Sequence, residues 1–432
     1  MKKILSIFCL FTLINITYGE AKYMPQDNSG TNIIAYYNAD NTTEEVKVID
    51  GRKEGKSKEI YPDGRIFYST YKHGVRQGEG KIEYPNGDIE IINIKDGLIQ
   101  GETIFKSSNG EYIIKGQYLN GLIDGDFITT DKNGNLLQKE TFILGENLKT
   151  IDYGDGFETV ITNTPMYTIV DLKSEDDNLE MSYKVFKGKL FGQSKIVHQG
   201  NVYTQTFINS KPITMAKVVY QNGKIKYGKS IKELLPNEFK EVISFDFKYN
   251  KKDKKMTKSF NEDEIKGKIK DGKIEGLLEY KDEKYDVKTT SMFKNDELDG
   301  ETIIYLNEKT TLTFNMKNNL LNGEHVQNFG EYSLIVNFKD GRVVGDCYIV
   351  EKNVKKIHGK ADESGLLIRY LDHFKVHEGD TIKGYYKVIL KGADKEMMQI
   401  VTKANGQIRR YGRLNEYQGG GEYIELKSAD KK

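Results

Sequence analysis

The chain has no tryptophan, only two cysteines and only six prolines among its 432 residues. Two cysteines cannot form the disulfide framework of a small secreted module, and Cys9 lies in the apolar N-terminal stretch. The 65 basic and 64 acidic residues nearly cancel, so no basic excess exists to displace counterions from a nucleic acid backbone. After the N-terminal stretch, no apolar run approaches the ~20 residues that span a bilayer. These absences exclude a disulfide-stapled module, a strongly basic nucleic-acid binder and a helical membrane protein.

The N-terminus has the features of a secretory signal peptide. A basic start, Met1–Lys3, precedes an apolar run from Ile4 to Ile16, and small or polar residues follow. This order predicts a signal peptide over residues 1–19, with cleavage after Gly19 or after Ala21. We therefore expect export, to the periplasm or to the cell surface and the extracellular space, with no transmembrane segment once the signal is removed.

Glycines recur along the chain in three sets that share one phase. The first set has a spacing of 23 or 24 residues: Gly51, Gly74, Gly97, Gly121 and Gly145. The second lies four residues later: Gly55, Gly78, Gly101 and Gly125. The third follows Asp or Asn: Gly64, Gly87, Gly110 and Gly134. Further pairs occur at Gly272 and Gly276 and at Gly341 and Gly345, and Asp296 and Asn319 take the first position before Gly300 and Gly323. Asp and Asn tolerate positive φ best after glycine, so we predict turns at the first position.

An aromatic residue stands three positions before the first glycine position in six copies: Tyr71, Tyr118, Phe142, Phe207, Phe293 and Phe338. These side chains either form the spine between repeats or line a binding face. Spine packing is favoured, because a periodic aromatic position in a repeat protein usually fills the core.

The segments between glycines alternate apolar and polar residues, as in Tyr332 to Phe338, which predicts strands with one buried face. Pairs such as Asn86-Gly87 indicate hairpin turns. Each unit of about 23 residues then holds two strands and two turns, and one hairpin needs stacked neighbours to bury its face. The predicted fold is all-β: an elongated repeat protein of successive hairpins in a twisted antiparallel sheet, with minor helical spacers.

One stretch resembles a MORN repeat, in the form of the degenerate bacterial MORN-like variant, some members of which are labelled antitoxins. Its matching residues are Tyr71, Gly74, Gly78, Gly80, Tyr84 and Gly87. The resemblance extends over roughly 48–157, 188–228 and 267–345. It implies an elongated twisted sheet of hairpins that binds or scaffolds other molecules without catalysis.

The repeat phase predicts an order of segments along the chain: signal peptide 1–19, polar lead-in 20–47, repeats 48–157, spacer 158–187, degenerate repeats 188–228, lysine-rich spacer 229–266, repeats 267–345, and degenerate β repeats with a charged tail 346–432. Within these, Ile231–Leu235 is expected to form a helical turn before Pro236. The lysine-rich run Lys248–Lys258 is expected to be a solvated loop, with contact to anionic lipid or a surface polymer as the alternative.

Two motifs suggest chemistry. Residues Gly223–Ser230 match the phosphate-binding pattern G-x4-G-K-S, but Gly223 belongs to the turn phase and Lys224–Tyr227 alternate like a strand. His373 and His377 stand four residues apart, which on a helix begins a metal site. Their surroundings alternate, so we expect them on the polar face of a strand. We predict no catalytic residue, no metal and no cofactor.

The expected function is that of an exported, non-catalytic repeat protein that binds a protein or cell-surface partner, with anionic lipid as another partner and no nucleic acid. Two alternatives stay open. One is a periplasmic immunity or antitoxin-like protein that captures a toxin. The other is an enzyme whose site lies in residues 158–187, 229–266 or 367–432.

Overall fold

The fold was obtained as a computed structural model. It describes residues 33–37, 42–49, 52–119, 121–154, 156–174, 176, 178–240, 247–251, 253–262, 264–283, 286–306, 310–328, 330, 332–351, 353–361, 367–369, 381–382, 385–392, 395–402 and 408–413. The predicted signal peptide, Gly51, His373 and His377 lie outside these residues.

The described chain is almost entirely β-structure, arranged in three antiparallel sheets. The first sheet contains β1 Ile33–Tyr37, β2 Thr43–Ile49, β3 Arg52–Ile60, β4 Ile66–Lys72, β5 Val75–Arg76, β6 Gly78–Glu83, β7 Ile89–Lys95, β8 Leu98–Lys106, β9 Tyr112–Leu119, β10 Leu122–Ile123, β11 Gly125–Asp131, β12 Leu136–Ile143, β13 Glu146–Gly154, β14 Phe157–Asn163, β15 Thr168–Ser174, β16 Leu179–Phe186, β17 Lys189–His198, β18 Asn201–Ile208, β19 Lys211–Pro212, β20 Ala216–Val219 and β21 Ile225–Gly228.

The second sheet contains β22 Lys258–Glu262, β23 Ile265–Lys270, β24 Lys273–Ile274, β25 Gly276–Asp282, β26 Val287–Lys294, β27 Glu297–Tyr305, β28 Thr311–Lys317, β29 Leu320–Asn328, β30 Tyr332–Lys339, β31 Arg342–Glu351, β32 Val354–Ala361 and β33 Leu367–Arg369. The third contains β34 Thr381–Ile382, β35 Tyr385–Gly392, β36 Lys395–Thr402 and β37 Ile408–Arg413.

One short helix, α1 (Ile231–Leu234), and a 3-10 turn at Asn237–Phe239 follow β21. The Ser230 hydroxyl accepts a hydrogen bond from the Glu233 N–H and caps α1, and the helix ends before Pro236, as the sequence predicts. These elements confirm the predicted all-β fold of successive antiparallel hairpins with a minor helical spacer.

The first glycine position closes the turn between hairpins. At Asp96–Gly97 both φ angles are positive, 52° and 77°, which a two-residue type I′ turn requires. The Gly97 N–H donates to the Arg76 carbonyl of the preceding hairpin at 2.8 Å, and the Gly121 N–H donates to Ile99 at 2.8 Å in the next. This repeated bond links each hairpin to the one before it. It recurs at the spacing of the first glycine position.

The second glycine position marks a β-bulge. Between β7 and β8 the pairing register shifts between Ile92 and Ile94, opposite Gly101, which has φ 85°. A Cβ on Gly101 would meet nothing within 4 Å, so the backbone conformation and not space favours glycine there. Positive φ is shared by the other predicted turn glycines that the structure describes: Gly55, Gly74, Gly78, Gly121, Gly125, Gly272, Gly276, Gly341 and Gly345.

The third glycine position closes the hairpins at their other end. The Gly87 N–H donates to the Tyr84 carbonyl at 2.9 Å, and the Tyr84 N–H donates to Asp88 at 3.0 Å. These bonds form a three-residue turn with glycine in the left-handed conformation, a common hairpin connection.

The described residues fall into two compact units. The first contains those up to Leu136, Phe142–Glu146 and the strands after Ile368; the second contains Leu137–Thr141 and Asn147–Leu367. The core of the first unit consists of aromatic and isoleucine side chains from β4 to β12: Phe67, Ile82, Tyr84, Ile92, Ile94, Phe105, Ile114, Tyr118, Phe127 and Phe142.

Within the second unit, part of the first sheet packs against the second sheet. Phe186, Phe191 and Ile208 share one hydrophobic cluster with Ile269 and Phe293. Aromatic side chains from both sheets therefore stabilise this packing, and Phe293 is the repeat aromatic among those named, so the repeat pattern by itself does not predict it.

Arg76 lies at the centre of a buried ion cluster in the first unit. Its guanidinium pairs with Glu59 and, at 3.5 Å, with Glu44, which also binds Lys53 at 2.7 Å. The guanidinium lies 4.9 Å from the centre of the Tyr71 ring. Burial raises the pKa of Glu44, but Lys53 and Arg76 outweigh it, so the pKa of Glu44 is lowered and the carboxylate stays charged.

Candidate functional site

The predicted repeat aromatics lie in the interior. Tyr71, Tyr118, Phe142, Phe207 and Phe293 are buried, and Phe338 is half-buried against the cluster of Leu334, Val336 and Cys347. The described aromatics of this position therefore supply packing, and a binding surface has to be sought among other side chains.

The phosphate-binding pattern has the geometry of a hairpin. Gly223 lies in a turn, and its N–H donates to the Tyr220 carbonyl at 2.8 Å. Residues Ile225–Gly228 then form β21. Ile225 pairs with Val219 and Tyr227 with Lys217, so the backbone of this segment belongs to the β20–β21 ladder and does not wrap a phosphate. Across the described residues no group of three metal-binding side chains is found, while His373 and His377 lie outside them.

A depression of about 390 Å³ lies on the sheet face formed by β14, β15, β16 and β17. Directly opposed residues of antiparallel strands point to the same side, so the register defines rows across the face. The first row is Glu158, Lys173, Glu180 and Val197; the second is Val160, Asp171, Ser182 and Lys195. These eight residues and Leu172 line the depression, and we call the eight the charged face.

Opposite charges alternate on the charged face. Lys173 lies opposite Glu158 on one side and Glu180 on the other, with directly opposed Cβ atoms about 4.5–5.5 Å apart. The face is open, since Glu158, Lys173, Glu180 and Lys195 are exposed. It can therefore offer both ammonium and carboxylate groups to a ligand that lies flat across several strands.

Residues 158–187 are one of the segments in which the enzyme alternative expects a pocket. The glycine phase is lost there, but β14 to β16 continue the antiparallel sheet without a break in pairing. The depression is thus part of a sheet surface and not a cleft between elements.

The second row becomes basic as it continues across the sheet. Lys195 lies opposite Thr204, Thr204 opposite Lys217, and Lys217 opposite Tyr227. The ammonium of Lys254 lies 5.2 Å from the centre of the Tyr227 ring, within cation–π range. We call Lys195, Lys217, Tyr227 and Lys254 the lysine row.

The lysine-rich segment is held beside β21. The Tyr249 N–H donates to the Lys229 carbonyl at 2.9 Å, and the Tyr249 hydroxyl donates to Asp253 at 3.0 Å. Lys258 in turn donates to the Tyr249 hydroxyl at 2.8 Å. Burial, followed by the hydrogen bond to Asp253, raises the pKa of Tyr249 to about 12, so this hydroxyl keeps its proton and remains a donor.

Neither the repeat pattern nor the run Lys248–Lys258 predicts the lysine row. Lys195, Lys217 and Lys254 are far apart in sequence, and only the strand register brings the first two into one line. A compositional signal was present, however: residues 217–258 contain 12 lysines, no arginine and five acidic residues (Glu233, Glu238, Glu241, Asp246 and Asp253) in a chain that is nearly neutral.

Among the described residues there is no helix with the length and apolar character needed to cross a bilayer. No known family matches the sequence, and no curated protein matches it. Among solved structures, one similar chain comes from a structural and mechanistic study of two prolyl endopeptidases, with 10% identity and a TM-score of 0.14. The match covers 81% of this chain and 48% of that chain, so this chain spans about half of its length.

Proposed function

We propose that this chain is an exported, non-catalytic binding protein of the MORN-like type, which attaches to a protein or a cell-surface partner through exposed sheet faces. The supporting observation is that structural and surface roles belong to different residues. The repeated glycines and aromatics serve turns, bulges and cores, while the charged face and the lysine row form ordered lines of exposed and half-buried side chains on β14 to β21 and the segment beside them.

A flat array of this kind suits binding better than catalysis. Its functional groups lie in rows on a sheet, without the enclosed, water-excluding site in which acid–base or nucleophilic groups act. Export rests on the signal-like N-terminus, which places the array where it meets surface partners.

The first experiment is protease shaving of intact cells that produce the full chain, with a periplasmic protein as the control. Loss of the chain while the control survives supports attachment to another cell or to a matrix. Protection until the outer envelope is opened supports a periplasmic role. A chain that stays in the cytosol with residues 1–19 intact contradicts the proposal.

Attachment itself is tested by adding the purified chain to intact cells and measuring bound protein by flow cytometry. We expect saturable labelling that falls when Glu158, Lys173 and Glu180 are replaced together by Ser. A matched triple replacement on the second sheet (Glu279→Ser at a half-buried position, Lys288→Ser and Glu301→Ser at exposed positions) should leave labelling unchanged. Equal labelling by both variants would remove the charged face from the proposal.

A further inference from the structure

We propose that the lysine row, together with the lysine-rich segment held beside β21, binds a linear acidic polysaccharide that carries uronic acid carboxylates. The inference rests on the proposed function in one respect: export brings the chain to envelope and matrix glycans and keeps it away from nucleic acid. It adds the chemical class of the partner and the surface that recognises it.

Tertiary structure brings two basic segments together here. Residues 224–229 and residues 247–258 are separated in sequence, and the bond from the Tyr249 N–H to the Lys229 carbonyl joins them. Lys254 then lies over Tyr227, whose strand partner is Lys217. The exposed lysines of the two segments are Lys224, Lys226, Lys229, Lys248, Lys251, Lys254 and Lys255.

The local charge complements a polyanion. Residues 217–258 carry 12 lysines against five acidic residues, an excess of seven positive charges, whereas the entire chain has a net charge of +1. Such a concentration of one sign attracts a multivalent anion and is attenuated by salt. Asp253 is engaged by Tyr249 and lies 3.6 Å from Lys258, so it neutralises little of the remaining charge.

The chemistry of the cations indicates the type of anion. Every cation in residues 217–258 is a lysine. Lysine acts as a flexible point charge, while arginine supplies the rigid fork that binds phosphate in a bidentate manner. Lysines spread along a surface fit the regularly spaced single carboxylates of a uronic acid polymer.

The test measures binding of the purified full chain to immobilised polygalacturonate, with dextran as the neutral polymer and single-stranded DNA as the phosphate polymer. We expect binding to polygalacturonate that weakens steeply with added salt, little binding to dextran, and weaker binding to DNA. Replacing Lys217 and Lys254 by Gln should lower the affinity for polygalacturonate about 25- to 100-fold, because each lysine near an anionic surface contributes a factor of about five to ten.

The control variant replaces two exposed lysines of the second sheet, Lys294→Gln and Lys317→Gln, and changes the net charge equally. Unchanged affinity in the control supports the lysine row. An equal loss in both variants, absence of binding to polygalacturonate, or tighter binding to DNA would overturn the proposal. Circular dichroism verifies that both variants are folded.

The outcomes also separate this inference from the proposed function. If the chain labels intact cells but does not bind polygalacturonate, the proposed glycan ligand is refuted while the proposed attachment function is still supported. A chain that binds polygalacturonate but remains in the cytosol refutes export and leaves the lysine row as a polyanion-binding surface.

Discussion

The carboxylate of Asp296 accepts a hydrogen bond from the ammonium of Lys184 at 2.7 Å, between two sheets that pack together in the second unit. The same carboxylate accepts the Gln193 N–H and the Ile274 N–H, each at 2.9 Å, and Asp296 is only 2% exposed. Asp296 has φ 74° at the position where most repeats have glycine. It keeps the backbone conformation of the turn and adds a bond between sheets.

We predict that Asp296→Gly destabilises the protein although it restores the repeat consensus. Three donors lose their acceptor, and the largely buried Lys184 ammonium loses its counter-charge, so the free energy of unfolding should fall by about 2–4 kcal/mol. Urea unfolding followed by circular dichroism measures it. The neighbouring replacement Asn295→Gly, at an exposed position with φ 52°, should change stability by less than about 0.5 kcal/mol. Equal losses would show that the carboxylate contributes nothing beyond the turn.

Arg76→Met should be among the most damaging single replacements in the first unit. It leaves Glu44 and Glu59 without their shared guanidinium in a buried site, and breaking a buried pair costs about 3–5 kcal/mol. The comparison is Arg65→Met, which removes an ion pair with the largely exposed Asp63 and should cost less than about 1 kcal/mol. The ranking is checked by thermal unfolding, and a reversed order would refute the role given to the cluster.

Stability should depend on pH through Glu140. Burial raises the pKa of Glu140 from 4.5 to about 7, partly opposed by hydrogen bonds from Thr150 and Asn147. The folded protein therefore holds this proton more tightly than the unfolded chain, so the contribution is present below pH 4.5 and is lost as the pH rises to about 7. Glu140 is only 6% exposed, and we expect a loss of about 1–3 kcal/mol across this window.

Urea unfolding at several pH values between 4.5 and 7 measures this effect. Glu140→Gln should flatten the profile in that window, whereas Glu146→Gln, at an exposed position of β13, should leave it as in the parent chain. A Glu140→Gln variant with the parental slope would contradict the assignment.

Gly116 is required because the Phe127 ring leaves no room for a Cβ atom at this position. A Cβ built there lies 2.4 Å from the ring of Phe127, so Gly116→Ala should destabilise the first unit by about 1–3 kcal/mol through overpacking. The second replacement Phe127→Leu should recover part of this loss, because the two changes share one volume. Gly101→Ala has no close neighbour and a φ of 85°, so its loss should stem from the backbone and should not respond to Phe127→Leu. Thermal unfolding of the single and double variants decides between the two causes.

The amino-acid sequence by itself determined the local structure of this protein. The type I′ turn at Asp96–Gly97, the bulge at Gly101 and the alternation within each strand depend on φ preferences and on side-chain period, which act over a few residues. The same local rules predicted the helical turn before Pro236 and the positive φ of Asp296 and Asn319.

Only the tertiary structure decided which side chains meet. The packing of Phe191 against Phe293, the bond from Lys184 to Asp296 and the line from Lys195 through Lys217 to Lys254 join residues whose separations follow no period. Strand register and sheet packing determine these contacts. Both depend on burial of the apolar faces along the whole array, which is cooperative and cannot be achieved by a single repeat.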